Sequence, residues 1–595
     1  MPTSPLTGSS DVVNVSLKVD GTVVPKIHQI MCAEVTHAFN RIPRATITIL
    51  DGDIPNKAYP ASDAALFKPG VAIVLMAGYG TTATQIFSGI VVRHKVALTR
   101  KGCSTLTLEC RDKAVAMTVG RSGATHQDST DSAAITSLIT KHGLTADVTS
   151  TTATHSGLVQ YDSTDWDFMV ARAESNGLLV NVEAAKVTVK APVTSGSPVL
   201  DLTIGVDIMD FDAELDSSTQ LKSVETTAWD PSKQAIAKKT AAPSALTGNG
   251  NIAAADLAKI LALEKFKLQS CASVDDSLLE SWAKAQQLKA ELSRIVGHVV
   301  FQGSALAKVG SILSLAGIGA RFNGNILATS VVHRIADGNW TTEVGFGMAS
   351  NWFVEQYDTT PLKASGTTVG INGLQIGVVK KIDGDPLSHY RVQVSIPTMQ
   401  SEKEGIWARL ATPRASSGTG TFFIPEVNDE VVLGFLNDDP SHPIVIGSLY
   451  SSKNKAPKEI EAENKIKAIV TKSKISIEFD DDKKILTLTT PGKNTVTLSD
   501  DAKSIELKDQ TGNKVTLGES GIALDSPKDI KIKATGGVSI EATGKIELKA
   551  TQDLSAEGMN LNLKAQVGLA AKGTATAEFS ASGQTTLKGA MVMIN

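Results

Sequence analysis

The sequence predicts a mainly β, multidomain protein whose C-terminal part is an intertwined three-chain β-helix, and three observations carry that reading. The chain is 595 residues long, too long for a single core, so several domains of ~150 residues are expected. Short alternating runs of Val, Ile, Leu and Thr, bounded by Gly, Pro, Asp and Asn, recur along most of it, the pattern of strands and turns. From Lys465 to Asn595 the composition changes: Trp, Tyr, His, Cys and Arg are absent, and Phe479 and Phe579 are the only aromatics.

Taken in chain order, residues 1–230 begin with strand-like runs such as VNVSLKVDG, RATITILDG and STLTLECRD, then turn helical in STDSAAITSLITKHG and STDWDFMVARAESNG. Thr164 with Asp167 three residues on is a capping-box-like helix start, and Gly177 is a stop signal. Residues 231–297 are rich in Ala, Lys and Ser. There Leu278, Trp282, Ala285, Leu288, Leu292 and Ile295 keep a helical rhythm, which predicts a helical insertion docked along that face. Residues 298–365 return to strands. Residues 366–450 contain six strand candidates, LQIGVVKKI, YRVQVSI, GIWARLA, TGTFFI, DEVVLGFL and HPIVIGSL, expected as a small antiparallel barrel of OB type. Residues 451–464 read as a linker.

In residues 465–595 apolar residues come in pairs at i and i+2, including Ile475/Ile477, Leu486/Leu488, Val496/Leu498 and Ile505/Leu507, the period of a strand. From Ile530 through Val538 and Ile546 to Leu554 the pairs recur every eight residues, with corners at Gly536, Gly537, Gly544, Gln552 and Asp553. One short strand per octad supplies one wall and cannot wrap a core alone. Three chains winding into a triangular prism can, with Ile530, Ile532, Val538, Ile540, Ile546 and Leu548 as its apolar axis and the charged positions in water. Stacked ~4.8 Å apart, about fourteen octads predict a rod of roughly 65 Å. Met591, Val592, Met593 and Ile594 then lie on the last turn. They are expected either to dock a partner by continuing the sheet or to finish the rod's own core.

The run from GLQIGVVKKIDGDP through YRVQVSIP, EGIWARLATP and GTFFIPEVNDEVVLGFLNDDPSHPIVIGSLYSS resembles the OB-fold module of VgrG-type spike proteins, the fused hub and needle of contractile injection systems. QYDSTDWDFMVARAESNGLLV resembles a helix of that family's hub, and FQGSALAKVGSILSLAGIGARFNGNILATSVVHRIADGNWTTEVGFG resembles the hub's second barrel. RFNG, ADGNW, GFLNDDP and KGAMVMIN resemble the spikes of extracellular phage-tail-like particles more than those of type VI secretion systems. The resemblance implies a homotrimer with a hub of two β-barrels with helices, an OB-fold collar and the β-helix needle. It implies a hub that closes the inner tube and contacts baseplate proteins. A PAAR-type tip protein would sit on Gly589, Ala590, Met591, Val592, Met593, Ile594 and Asn595. The function implied is a structural spike driven through a target envelope by sheath contraction. The alternative is a type VI or phage spike that also carries effector cargo, with 231–297 as a candidate carrier segment.

Other classes fit less well. The formal net charge is -4 and Lys and Arg alternate with acids, so nucleic acid is not an expected partner. No apolar run reaches the ~20 residues of a membrane span, and the N-terminal stretch lacks the pattern of a secretory signal. The chain is expected to be made in the cytoplasm, to join a particle that is extracellular or cell-associated, and to meet membrane only during puncture. Cys32, Cys103, Cys110 and Cys271 form no zinc pattern. Cys103 and Cys110 read as buried small hydrophobes, with a disulfide between them as the lesser alternative. GIGARFNG at 317–324 lacks the Lys-Ser/Thr of a phosphate loop. FDDDK and NDDP read as turns, His333 as a packed or surface histidine, and Trp166 and Phe168 as core anchors. No enzyme, metal or cofactor is expected. A polysaccharide-cleaving tailspike would need aromatic platforms on the rod, which has no Trp or Tyr.

Overall fold

A computed structural model describes residues 3–6, 12–80, 83–99, 104–244, 246, 248–357, 359–400 and 405–594. It divides into two compact units, Met1–Ser448 and Leu449–Asn595. Cys103 and Asn595 fall outside the described residues.

In the first unit a 13-stranded sheet joins strands from both ends of the expected hub. Its order runs from Ile208–Leu215 through Ile295–Gln302, Asn339–Phe346, Gly324–Ala336, Ile30–Ala38, Arg44–Leu50, Ser104–Arg111, Thr84–Leu98 and Ala72–Tyr79 to Val13–Val19 and Thr22–Val23. The expected hub holds two β-barrels; the strands assigned to both belong to one hydrogen-bonded sheet wrapped around two cores. The two are joined by Gly324–Ala336, thirteen residues long, which pairs with Ile312–Ala316 near its start and with Ile30–Ala38 near its end. Its first half, through Ile326, Ala328 and Val331, packs in a core with Phe301 and Phe346. Ile335 at its far end packs with Ile47, Leu75 and Leu108. One strand therefore belongs to two cores, and the alternating pattern that announces it carries no mark of that division.

A third core forms where the helices Asp131–Lys141 and Asp165–Ser175 pack with the sheet made by Thr145–Val148, Leu179–Glu183 and Lys186–Lys190. Thr130 accepts a hydrogen bond from Ala133 N, and Thr164 one from Asp167 N at 3.0 Å, so both helices begin on side-chain caps. Trp166 is buried in this core, as expected of an anchor.

The segment 231–297 is not purely helical. Ala235–Ala241 and Phe266–Ser270 flank Val224–Asp230 in a three-stranded sheet, and the helix Asp276–Leu292 lies over it. The buried stripe of that helix also differs from the expected one. Ala285, Leu292 and Ile295 are buried as expected, but Leu279, Ala283, Gln286, Gln287 and Ala290 are buried with them, whereas Leu278, Trp282 and Leu288 are only half-buried. Two polar anchors explain the rotation: Gln287 Nε2 donates to Leu221 O at 3.0 Å, and Trp352 Nε1 donates to Gln286 Oε1 at 2.8 Å. These bonds offset part of the cost of burying the two amides, although Gln287 Oε1 has no partner among the described residues, and small alanines let the helix approach the sheet.

The expected OB module is a closed five-stranded barrel of Gln375–Lys381, Val392–Ser395, Ile406–Leu410, Pro443–Ser448 and Glu430–Phe435. Val379, Val394, Ala408, Val431, Leu433 and Val445 fill it. The sixth strand candidate, TGTFFI, is outside the barrel. Thr419–Gly420 pairs only with Ala415–Ser416, and Phe422 and Phe423 are exposed.

Candidate functional site

The second unit opens with seven antiparallel strands in sequential order: Ile466–Val470, Ser476–Asp480, Ile485–Thr489, Thr495–Ser499, Ser504–Lys508, Lys514–Gly518 and Gly521–Asp525. The turns between them are built locally. Lys474, Lys484, Lys493 and Lys503 each adopt positive φ, and Asp509 Oδ1 accepts from Thr511 N at 2.9 Å and Asn513 N at 2.8 Å, a side-chain-closed turn.

The register aligns the apolar pairs into two rows. One runs Ile469, Ile477, Leu488, Val496, Leu507, Val515, Leu524; the other runs Phe479, Leu486, Leu498, Ile505, Leu517, Ile522. Both rows lie on one face because their members alternate by two along each strand. The opposite face carries Glu478, Thr487, Thr497, Glu506 and Thr516. Among the described residues no buried apolar cluster includes any member of the rows, and Leu507 is 43% exposed. A contiguous uncovered apolar face of this kind marks an interaction surface.

Beyond Asp525 the chain forms no strand, and among the described residues it makes no backbone–backbone hydrogen bond. It bends instead at 535–536, 543–544, 551–552, 559, 566–567, 574–575, 582–583 and 590–591, an almost unbroken period of eight. Ile530, Ile532, Val538, Ile540, Ile546 and Leu548 are all exposed on it, as are Met591, Val592, Met593 and Ile594. The single chain therefore does not bring these residues together. Backbone groups and apolar side chains left facing water in this way call for partners.

The seven-stranded meander also differs from the uniform octad rod expected over 465–595. Up to Asp525 the apolar pairs recur every nine to eleven residues, as in Ile477, Leu488, Leu498, Leu507 and Leu517, a five-residue strand plus a hairpin turn. That longer spacing was the available signal.

Charged clusters in the first unit were not legible as such. Asp131, fully buried, accepts from Arg172 Nε at 2.6 Å and Nη2 at 2.9 Å, and from Asn176 Nδ2 at 2.9 Å, with His155 Nε2 at 3.1 Å. Asp165 is held by Lys141 Nζ and His142 Nε2, each at 2.8 Å, and by Gln160 Nε2 at 2.9 Å. Burial pushes the Asp165 carboxyl up, but the hydrogen bonds from Lys141, Gln160 and His142 outweigh it and hold the group at about 2. Each member is consumed by the others, so neither cluster presents a free acid or base.

His333 is buried, with Nδ1 3.0 Å from Thr342 Oγ1; burial and the neighbouring His37 lower its pKa to about 3. Cys110 is buried and unbridged. GIGARFNG is the turn between Ile312–Ala316 and Gly324–Ala336. FDDDK closes a hairpin, where Asp480 Oδ1 accepts from Lys483 N at 3.0 Å. Among the described residues no group of three His, Cys, Asp or Glu could hold a metal ion, and no helix is long and apolar enough to cross a membrane.

Comparison with known proteins bears first on the barrel. Residues 375–450, the barrel, match the family of the type VI secretion system/phage-baseplate injector OB domain. The chain is 41% identical over 71 residues to the type VI secretion system spike protein VgrG3 of Vibrio cholerae, covering 11% of this chain and 7% of the relative. It is 26% identical over 133 residues to spike protein VgrG1a of Pseudomonas aeruginosa, covering 20% of this chain and 21% of the relative. The barrel and these relatives place the chain in the class of VgrG-type spike proteins of contractile injection systems. Residues 9–337 match the family of the Alg8 N-terminal domain; the match spans more than half of the chain, which belongs to that family. The matched stretches span about a fifth or less of these curated relatives. Among solved structures, a component of the type VI secretion system of E. coli aligns at 13% identity over 73% of this chain and 99% of its own, with a TM-score of 0.36, too low to carry an argument.

Proposed function

We propose that the chain is the structural central spike of a contractile, phage-tail-like injection system and that it works as a homotrimer. The observation that carries this reading is the uncovered apolar face of the seven-stranded sheet together with the unpaired, octad-spaced segment after it. Both need partners of matching length and period, and two further copies of the same segment supply them. In this reading the three apolar faces turn inward and the octads pair between chains, which removes lateral edges and makes unfolding slow. The work done is mechanical, with no catalytic step.

The first unit then serves as hub and collar, closing the inner tube and contacting baseplate proteins. Gly589–Asn595 carries a PAAR-type tip protein that leads puncture of the target envelope. The resemblance of RFNG, ADGNW, GFLNDDP and KGAMVMIN to the spikes of extracellular phage-tail-like particles supports that particle type, with the chain made in the cytoplasm and released in an assembled particle.

A second reading, a type VI spike that also carries an effector, is favoured by the class of the curated relatives. Ala235–Ala241 and Phe266–Ser270 are the outer strands of their sheet and would offer their edges to such cargo. Sedimentation of the full chain tests the proposal: three times the 62.5 kDa chain mass is expected, and a monomer at micromolar concentration overturns it.

A further inference from the structure

Next to the third core, the first unit contains a cleft of about 340 Å³ into which three arginines open, Arg41, Arg44 and Arg111. Arg44 and Arg111 are direct cross-strand partners on Arg44–Leu50 and Ser104–Arg111. Like charges placed directly opposite destabilise a sheet. Arg41 comes from the turn after Ile30–Ala38 and is set rigidly. Asn40 before it adopts φ 56°, donates its N–H to Val180 O at 2.7 Å and accepts from Val180 N at 2.9 Å. Past the arginine, Pro43 O accepts from Asp112 N at 3.0 Å. The Arg41 guanidinium lies 5.5 Å above the ring of Tyr357 and donates to its hydroxyl.

The charges in the cleft do not balance. Asp167 is the one carboxylate among the lining residues. Arg111 is engaged by Glu109 at 2.6 Å, and Glu109 is shared with Arg93 at 3.4 Å. Among the described residues neither Arg41 nor Arg44 makes a contact ion pair with a carboxylate, although Arg44 lies near enough to Glu109 to favour its charged form. The walls include Trp166 and Phe353, both nearly fully buried, while Arg41 and Arg44 are exposed at its mouth and Arg111 is half-buried. Guanidinium forks match planar and tetrahedral oxyanions by paired N–H donors.

We infer that this cleft is a binding site for an oxyanion, a carboxylate or a phosphate, gripped by Arg44 and Arg111 and closed over by Arg41. Two sources share that chemistry: an acidic side chain on a protein that docks against the first unit, and free phosphate. The bound anion relieves the repulsion between Arg44 and Arg111, so occupancy stabilises the fold around the cleft.

The test is calorimetric titration of the full-length chain at constant ionic strength, with inorganic phosphate in one arm and a hexaglutamate peptide in the other. Arg44→Gln is compared with Arg334→Gln, a control elsewhere on the sheet where Arg334 is paired with Glu34 and Glu343. Saturable binding weakened at least tenfold by Arg44→Gln and unchanged by Arg334→Gln is expected. Binding of phosphate identifies a free anion as sufficient, and binding of the peptide alone identifies a carboxylate on a protein partner. Arg44→Gln removes a like-charge contact, so its melting temperature in anion-free buffer should be equal to or above that of the parent, which separates lost binding from lost folding. Absence of binding in both arms, or equal binding by parent and Arg44→Gln, overturns the site.

Discussion

Asp131, the first residue of one helix, takes a two-pronged grip from Arg172 in the last turn of the next, with Nε at 2.6 Å and Nη2 at 2.9 Å. The arrangement is reciprocal: Asp165, the first residue of the second helix, is held by Lys141 in the last turn of the first. Each aspartate sits where a helix favours negative charge and each base where it favours positive charge. The two bridges lock the helices head to tail.

The bridges differ in weight because they differ in exposure. Arg172→Ala leaves Asp131 buried beside His155 and Asn176 alone, and a loss of about 3 kcal/mol is expected, the order found when one partner of a buried pair is removed. Lys141 is largely exposed, and Lys141→Ala should cost below about 1 kcal/mol. Denaturant unfolding of the two variants, followed by the near-ultraviolet signal of the first unit, checks the order; equal losses refute it.

Acid should weaken this helix pair in a defined window. The folded-state pKa of Asp165, about 2, lies below the ~3.9 of an unfolded aspartate. The unfolded chain therefore binds protons first as pH falls. The stabilisation is fully present above about pH 4 and is lost as pH drops toward 2. Asp165→Asn should flatten the stability profile in that window and leave it unchanged in shape between pH 5 and 8.

His333 sets a second, milder window. Held neutral by burial and by His37, with a pKa near 3, it lies below the ~6.5 of an unfolded histidine. Its contribution is complete above about pH 7 and declines as pH falls toward 3. Between pH 7 and pH 5 the loss amounts to about 2 kcal/mol. His333→Gln should remove that slope, measured as the change in urea midpoint between the two pH values; an unchanged slope would point to another group.

Assembly should respond to the face of the substitution. Leu507→Asp, on the apolar row, and Ile540→Asp, on the octad segment, are expected to abolish the trimer in sedimentation. Thr497→Asp on the polar face and Glu541→Lys should leave it intact. Equal effects on both sets would mean that a different face closes the assembly.

Removal of Gly589–Asn595 is expected to release a tip protein from the particle while the trimer persists, read by pull-down with the tip as bait. Retained tip binding would assign Met591, Val592, Met593 and Ile594 to the rod's own core.

Much of this protein is legible in its sequence because short-range patterns carry it. The barrel strands alternate cleanly, Thr164 announces its helix, and the eight-residue period after Ile530 reappears as bends every eight residues. The parts not legible are those decided by long-range partners. Leu278 and Trp282 look like a buried stripe, yet Gln286 and Gln287 take the inner face because Trp352 and Leu221 wait there with matching polar groups. The three-arginine cleft assembles from a turn, two strands and the walls of two helices, and no spacing in the chain links Arg41 and Arg44 to Arg111.

The sequence by itself determined that this is a modular β protein with an OB barrel and a C-terminal segment of period eight, since alternation and turn residues act over a few positions at a time. The tertiary structure decided that strands from both ends of the first unit form one sheet through Gly324–Ala336, that the segment up to Asp525 folds back on itself while the described residues after it find no strand partner within the same chain, and that buried aspartates tie two helices together. Those outcomes rest on strand pairing and charge contacts between residues far apart in the chain, where burial, rather than local preference, selects which partner wins.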